Sequence, residues 1–126
     1  MTDQISDLLV RIRNTSLIKK SEIEMPYSKM KEAILTILKE EGFVKDFNIF
    51  EQDSLKYLKI SIARDKFPTH IKQISRPGQR IYSRSKDIPK PLRGFGLVIV
   101  STPKGVISGK QAAKTGVGGE LICEVW

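Results

Sequence analysis

The sequence contains few of the residues on which metal centres and nucleophilic catalysis depend. It has one cysteine, Cys123, and one histidine, His70, too few for an internal disulfide or a zinc site with four such ligands. They also lie far apart along the chain, so a nucleophile–base pair has little support. We predict no metal, no cofactor and no enzymatic activity. We expect His70 at the surface of a polar connector and Cys123 in the core, on one strand face with Leu121 and Val125.

Long hydrophobic runs and nucleotide-binding loops are missing too. A membrane-spanning helix needs about 18 consecutive apolar residues, and no stretch of the sequence approaches that length. Asp3 and Asp7 interrupt any apolar signal segment at the start. The glycines of residues 116–119 leave a predicted helix and enter a strand, the reverse of a dinucleotide-binding motif. These absences predict a soluble, cytoplasmic protein with no membrane partner.

Acidic residues are scarce in one half of the chain only. Residues 67–126 hold 10 basic and 3 acidic residues, whereas residues 1–66 hold 12 and 11, so the net charge of +8 lies mostly in the second half. A basic surface of this kind attracts polyanions. Improved solubility is the alternative explanation of the charge, but its asymmetry favours a nucleic-acid-binding face.

The opening segment has the pattern of an amphipathic helix. Its apolar residues recur at the spacing of one helical face: Ile5, Leu8, Leu9 and Ile12. Thr2 or Asp3 is available as the N-cap, and we expect the helix to end near Asn14. Its last turn would then hold two cations that either suit the helix dipole or contact a ligand: Arg11 and Arg13.

A second helix and a hairpin are expected to follow. After an extended stretch through Ile23 and Met25, Ser28 can cap a helix that Gly42 ends. The apolar stripe of this helix consists of Met30, Ile34, Ile37 and Leu38. Beyond it the apolar period becomes two, which predicts a hairpin around a turn at residues 51–54. The alternating residues are Phe47, Ile49, Leu58, Ile60 and Ile62.

The second half has the pattern of a β-rich unit. Residues 71–75 and 79–84 flank the turn pair Pro77-Gly78, so a hairpin is expected there. The apolar run of residues 97–100 predicts a buried strand whose end delivers residues 101–105 into a loop.

A short helix and a final strand complete this half. Ser108 and Gln111 have the spacing of a capping box, and the helix they predict ends at Gly116. The last strand is expected over residues 120–126. The fold class is therefore α+β, with an N-terminal lobe of α-β-α-β-β order, residues 1–66, and a mostly antiparallel β lobe with one short helix, residues 67–126.

The basic half carries side chains suited to RNA, because cations neutralise phosphates and short hydroxyls reach 2′-OH groups and base edges. The cations are Arg76, Arg80, Arg84, Lys86, Lys90, Arg93, Lys104, Lys110 and Lys114. Arg80, Tyr82 and Arg84 alternate along one predicted strand and would share a sheet face. Tyr82 either stacks on an unpaired base or packs against the arginine stems. Glu120 either orients the 101–105 loop, accepts from a base amino group, or is solvated.

Four motifs occur along the chain and are specific as a set. They are MTDQISDLLVRIRN at residues 1–14, ISRPG at 74–78 with Arg80 and Tyr82, STPKGV at 101–106, and GGE at 118–120 followed by Cys123 and Val125-Trp126. Together they resemble the bacterial small-subunit ribosomal protein eight family, in register over essentially the whole chain.

The resemblance implies a protein of two lobes that binds a helix of the 16S rRNA central domain and supports assembly of that domain. It also implies a monomer outside the ribosome, neighbouring small-subunit proteins as partners, and, as a secondary role, repression of its own operon through an mRNA structure like the rRNA site. Carried over by motif, the RNA-binding residues are Ser101, Thr102, Lys104, Gly105, Gly118, Gly119, Glu120 and Tyr82. The charge pattern adds Arg76, Arg80, Arg84, Lys29 and Lys31.

The chain departs from the family pattern at two positions. Pro103 stands where serine is usual, which removes a hydroxyl and a backbone N–H, and Glu124 stands where tyrosine is common. The alternative hypothesis, a sequence-specific DNA-binding regulator, is disfavoured because the basic half offers no long helix for a major groove.

Overall fold

The computed structural model describes residues 3–18, 22–63 and 68–126. The described residues form three α-helices and two antiparallel sheets, so the predicted α+β class is confirmed. The candidate cap Thr2 and the connector residue Phe67 lie outside the described residues. No helix in this part of the chain has both the length and the apolar character that crossing a membrane requires.

The first unit, Met1–Pro68, combines two helices with a three-stranded sheet of order β1-β3-β2. Its elements are α1 (Gln4–Ile18), β1 (Glu22–Pro26), α2 (Lys29–Glu40), β2 (Val44–Gln52) and β3 (Leu55–Ile62). Buried side chains from helices and sheet form its core, among them Leu8, Ile12, Met25, Ile34, Leu58 and Ile60. Burial of these apolar side chains is the main stabilising contribution to such a unit.

Helix α1 is longer than the apolar pattern predicts. Asp3 caps it, since its carboxylate accepts hydrogen bonds from the N–H groups of Ile5 and Ser6 at 3.1 and 3.2 Å. The helix continues past Asn14 to Ile18, because no glycine or proline follows to stop it. The predicted end of this helix is therefore wrong by one turn.

The extra turn changes the position of two arginines. Arg11 and Arg13 lie inside the helix, and not in its last turn as predicted. The Arg11 guanidinium instead donates to the Asp7 carboxylate at 3.1 Å and to the Glu24 carbonyl oxygen at 2.9 Å. Arg11 therefore joins α1 to β1.

Helix α2 begins and ends where the sequence predicts. The Ser28 hydroxyl accepts from the Lys31 N–H at 3.1 Å, and Gly42, with φ of 85°, follows the helix end. The buried apolar residues of the helix are Ile34, Leu35, Ile37 and Leu38. Three of the four residues of the predicted apolar stripe are therefore confirmed as buried, Met30 is only partly buried, and Leu35 is an addition.

The hairpin of the first unit is confirmed, but its turn is shorter than predicted. Gln52 already pairs with Leu55, so only Asp53 and Ser54 connect the strands. Both have positive φ, 54° and 65°. A two-residue turn of this conformation matches the twist of the flanking strands.

The second unit, Thr69–Trp126, is a five-stranded antiparallel sheet with one α-helix, one short 3₁₀ turn and one turn with left-handed central residues. Its elements are β4 (Ile71–Gln73), β5 (Tyr82–Ser83), a 3₁₀ turn at Ser85–Asp87, the left-handed turn at Pro91–Gly94, β6 (Leu97–Thr102), β7 (Gly105–Ser108), α3 (Gly109–Thr115) and β8 (Gly119–Val125). Strand β8 is the centre of this sheet. It pairs with β6 on one edge and with both β4 and β5 on the other, while β7 lies outside β6.

The hairpin predicted around Pro77-Gly78 is wrong. Strands β4 and β5 both run antiparallel to β8, so they are parallel parts of one interrupted edge strand and do not pair with each other. A bridge between Arg76 and Gln79 closes only the turn itself, with N–H to oxygen distances of 3.0 and 2.9 Å. Because β5 spans Tyr82–Ser83 alone, Arg80 and Arg84 lie beside it and not on one regular strand with Tyr82.

The predicted 101–105 loop is also a tighter structure. Ser101 and Thr102 belong to β6, and Thr102 pairs with Gly105 of β7, so the turn consists of Pro103 and Lys104. Strand β7 was not predicted, because its four residues carry too short an alternating pattern to be recognised.

Helix α3 has the predicted Ser108 cap and the predicted end at Gly116. The Ser108 hydroxyl accepts from the Gln111 N–H at 3.2 Å, and Gly116 ends the helix in the left-handed conformation. The helix covers one sheet face, where a buried apolar cluster consists of Ile88, Val98, Val100, Ala112 and Leu121. The predicted burial of the apolar run on β6 is confirmed, since Leu97 to Val100 are at most 6% exposed.

The predicted shared face of Leu121 and Cys123 is wrong. Leu121 is opposite Val100 and Cys123 is opposite Ile99, with a register shift between the two pairs. Val100 and Ile99 are successive residues of β6 and project to opposite faces. A bulge in β8 therefore separates the two side chains, although both are buried.

Candidate nucleic-acid interface

Three strands of the second unit bring one side chain each to the same sheet face. Tyr82 of β5 is opposite Glu120 of β8, and Glu120 is opposite Ser101 of β6. Directly opposed residues of antiparallel strands project to the same side. We call Tyr82, Glu120 and Ser101 the polar row. Tyr82 is 70% exposed, and the Ser101 hydroxyl has no hydrogen-bond partner among residues 3–18, 22–63 and 68–126.

The turn after Ser101 presents Lys104 to solvent. The Thr102 hydroxyl donates to the Gly105 carbonyl oxygen at 2.7 Å and accepts from the Lys104 N–H at 3.1 Å. Gly105 has φ of 116°, which side chains disfavour, and Pro103 fixes φ at its own position. Thr102, predicted to contact RNA, thus has its hydroxyl engaged within the turn. Its role there is to hold Lys104 in place.

The two glycines before Glu120 allow a close approach of three strands. A Cβ built on Gly118 would lie 2.5 Å from the Ser83 carbonyl oxygen, and one on Gly119 would overlap the Ser101 carbonyl oxygen. No side chain fits at either position. The glycines therefore place Glu120 beside Ser101, and their predicted contribution to the site is through packing.

Three arginines belong to the segment that contains β5 and the Pro77-Gly78 turn. The Arg80 guanidinium donates to the Glu120 carboxylate at 3.0 Å, and Arg84 donates to Asp87 at 3.2 Å. Arg76 is exposed at the Pro77-Gly78 turn. Arg80 and Arg84 are therefore paired with carboxylates, whereas Arg76 has no ion pair within the described residues.

One residue that positions this segment was not singled out for that role from the sequence. The Ser75 hydroxyl accepts from the Ile81 N–H at 2.8 Å and donates to the Ile81 carbonyl oxygen at 3.2 Å. Ser75 is 4% exposed, so these bonds are shielded from water. They fix the segment that carries Arg76 and Arg80. Its position before an Arg-Pro-Gly turn was the only signal available.

The two lysines predicted in the first unit have different environments. Lys29 is exposed at the start of α2. Lys31 is 4% exposed, and its ammonium group lies 3.4 Å from the Asp7 carboxylate and 3.1 Å from the Pro26 carbonyl oxygen. A buried, paired ammonium group cannot reach a phosphate, so Lys31 is removed from the predicted RNA contacts.

His70 is partly exposed, as the sequence predicts, but it also makes specific contacts that the sequence does not predict. Its ring stacks on Trp126 with centroids 3.9 Å apart, and its Nε2 lies 3.3 Å from the Glu124 carboxylate. The backbone of His70 also bonds that of Trp126 in both directions. Glu124, one of the departures from the family pattern, therefore has a structural contact. Within the described residues no three His, Cys, Asp or Glu side chains come together as metal ligands would.

Cys123 is expected to be unreactive in the folded protein. Burial, and secondarily the charge of Glu124, raises the pKa of the Cys123 thiol to about 12. At pH 8 the thiol is therefore protonated as well as inaccessible, and only the thiolate reacts. We expect a chromogenic disulfide reagent to label Cys123 only as urea unfolds the chain. Labelling of the native protein at the rate of the urea-unfolded control would contradict the buried position.

Comparison with known proteins identifies the family. A family model described as Ribosomal protein S8 matches residues 3–126. Small ribosomal subunit protein uS8 of Thermus aquaticus is 47% identical over 137 aligned positions, covering 100% of this chain and 99% of the relative. The uS8 protein of Heliobacterium modesticaldum is 46% identical over 130 positions (100% and 98%), and uS8c of Thalassiosira pseudonana is 41% identical over 131 (100% and 99%). The chain therefore belongs to the ribosomal protein S8 family, a family of structural proteins, which confirms both the resemblance and the prediction that it is not an enzyme.

Proposed function

We propose that this protein is a structural constituent of the small ribosomal subunit that binds the central domain of 16S rRNA and supports assembly of that domain. The full-length similarity to proteins named small ribosomal subunit protein uS8 supports its place in the subunit. In this proposal the protein is a cytoplasmic monomer that joins the ribosome, where it contacts neighbouring small-subunit proteins. Repression of its own operon through a similar mRNA structure is a secondary role that rests on the resemblance alone.

The observation that carries the RNA proposal is the polar row. Ser101 offers a hydroxyl that has no hydrogen-bond partner in the described part of the chain, Glu120 a carboxylate, and Tyr82 an exposed ring, all on one face of adjacent strands. A hydroxyl can bond a 2′-OH group or a base edge, a carboxylate accepts from a base amino group, and an aromatic ring stacks on an unpaired base. This combination suits an irregular RNA helix, whose unstacked bases are accessible.

The surrounding charge supplies the sequence-independent part of binding. Lys104 is exposed in the turn after β6, Arg84 directly follows β5, and Arg76 is exposed at the Pro77-Gly78 turn. These exposed cations neutralise phosphates and release counterions, so affinity falls as salt rises. Duplex DNA is the less favoured ligand, because α3, the only helix of this unit, has seven residues and is short for major-groove recognition.

Competition binding tests the proposal directly. The protein is titrated with a labelled fragment of the 16S rRNA central domain in the presence of unlabelled duplex DNA or scrambled RNA of equal length. We expect neither competitor to displace the labelled fragment at equal concentration in 0.15 M salt. Equal competition by scrambled RNA would rule out specific recognition of rRNA. Stronger competition by duplex DNA would favour the hypothesis of a DNA-binding regulator.

Two variants should separate recognition of the site from attraction to phosphates. Ser101→Ala removes a hydrogen bond worth about 1 kcal/mol, so affinity for the rRNA fragment should fall roughly fivefold with an unchanged salt dependence. Lys104→Gln should instead weaken binding to both RNAs and reduce the slope of log K against log salt by about 0.9. Filter binding between 0.05 and 0.3 M salt measures both effects.

Ser61→Ala is the matched control for the first variant, because Ser61 is a strand serine of the first unit, on β3, and is not a member of the polar row. It should leave both affinities at the wild-type value. An equal loss for Ser101→Ala on rRNA and scrambled RNA would exclude Ser101 from recognition.

A further inference from the structure

The cation nearest to the polar row is engaged by the carboxylate of that row. Arg80 Nη1 lies 3.0 Å from Oε2 of Glu120, whose side chain is only 16% exposed while that of Arg80 is 45% exposed. Glu120 is the middle member of the row, opposite both Tyr82 and Ser101. The ion pair therefore occupies the surface that the proposed function assigns to RNA.

The other acidic residues of the second unit lie elsewhere. The sequence from Thr69 to Trp126 contains three: Asp87, Glu120 and Glu124. Glu124 contacts His70, and Asp87 contacts Arg84 in a pair whose side chains are 56% and 76% exposed. Glu120 is thus the one carboxylate of the polar row, and its ion pair is the more shielded of the two arginine pairs.

An arginine that is paired with a carboxylate contributes differently to RNA affinity from an exposed, unpaired one. An exposed guanidinium attracts the phosphates of any RNA, which raises affinity without discrimination. A half-buried carboxylate that faces the RNA repels phosphates, and it needs a hydrogen-bond donor in place of the arginine if the arginine leaves. A base amino group can supply that donor, whereas a phosphate cannot.

We infer that Glu120 is a specificity-determining residue, which withholds Arg80 from the phosphates of other RNAs and releases it when a base amino group of the correct RNA takes its place at the carboxylate. This inference rests on the proposed binding of rRNA by the same surface. It adds a means of rejecting wrong RNA.

The test is Glu120→Gln, which keeps the shape of the side chain and removes its charge. Affinity is measured for the 16S central-domain fragment and for a scrambled RNA of equal length. We expect affinity for the scrambled RNA to rise about fivefold at 0.1 M salt, with a slope of log K against log salt steeper by about 0.9, because one more cation reaches a phosphate. Affinity for the rRNA fragment should not rise, so the ratio of the two affinities falls.

Two further variants show whether the gain comes from Arg80. Asp87→Asn makes the same change in net charge, but Arg84 is already 76% exposed, so scrambled RNA should gain less than twofold (about 0.4 kcal/mol at most). The double variant Arg80→Gln/Glu120→Gln should lose the gain seen with Glu120→Gln alone. Thermal unfolding of each variant confirms that it is folded.

The outcomes are distinguishable. Equal gains for Glu120→Gln and Asp87→Asn would attribute the effect to net charge and overturn the inference, as would a gain that persists in the double variant. If the wild type discriminates between the two RNAs and Glu120→Gln keeps that ratio, the inference fails and the proposed function stands. If the wild type does not discriminate, the proposed function fails and the inference falls with it.

Discussion

Gly119→Ala should lower the free energy of unfolding of the protein by about 3 kcal/mol or more, at the upper end of what overpacking costs. The added methyl group would overlap the Ser101 carbonyl oxygen and lie 3.1 Å from the Cα of Thr102. Both neighbours are backbone atoms of the paired strand β6, so they cannot move aside without breaking the β6–β8 ladder. Urea unfolding followed by far-ultraviolet circular dichroism measures the loss.

Gly78→Ala is the matched control for this variant. A Cβ at Gly78 meets no atom within 4 Å, and its φ is not in the left-handed region. The change should therefore alter the free energy of unfolding by less than about 0.5 kcal/mol. Similar stabilities for the two variants would show that β6 and β8 do not approach as closely as the structure places them.

Asp7→Asn is expected to have the second-largest effect, a loss of about 2 kcal/mol. The Lys31 side chain is 5% exposed, and its ammonium group lies 3.4 Å from the Asp7 carboxylate. Asparagine keeps the size of the side chain but leaves a buried positive charge that has no carboxylate partner within the described residues, only neutral acceptors such as the Pro26 carbonyl oxygen. Removing one partner of a fully buried pair costs about 3 to 5 kcal/mol. We expect less here because Asp7 is 33% exposed.

Lys31→Met distinguishes the cost of an unpaired buried charge from the cost of a lost contact. Methionine keeps most of the apolar stem and removes the charge, so this variant should be within about 1 kcal/mol of the wild type. Arg11→Gln controls for the other partner of Asp7, whose pair is exposed and should contribute less than about 1 kcal/mol. The urea midpoints of the three variants, compared with that of the wild type, distinguish these contributions. A larger loss for Lys31→Met than for Asp7→Asn would contradict the reasoning.

The local features of this fold were predictable because their causes are local. Ser28 and Ser108 each cap a helix through an N–H three residues further on, and the sequence spacing is sufficient to locate both. The apolar run of β6 likewise predicts its own burial. Nothing comparable marks the end of α1, where no breaker residue follows Asn14.

Features that depend on distant residues were not predictable. Lys31 looks like any lysine of an amphipathic helix, and only the position of Asp7, 24 residues away, shows why it is buried. The stack of His70 on Trp126 similarly joins residues at opposite ends of the second unit. The Pro77-Gly78 turn predicted a hairpin, but the sequence could not reveal that β8 would pair with both flanking segments.

The candidate site was predictable in part, in its residues but not in their arrangement. Its residues were predicted from motifs, and Ser101, Lys104 and Glu120 indeed lie together at one end of the sheet. The register that makes Tyr82, Glu120 and Ser101 neighbours is a property of three paired strands and is absent from any one of them. The engagement of Thr102 within the turn needed the hairpin geometry as well.

The central position of β8 also has a consequence for how the protein is made. Among the eight strands of the described residues it is the last in the chain, yet β4, β5 and β6 all pair with it. In a chain that lacks residues 119–125, the apolar stretch Leu97–Val100 has no partner on one edge. Such a chain, once released from the ribosome, exposes an aggregation-prone strand. Fragments that end before Gly119 should therefore be the forms of this protein that aggregate most readily.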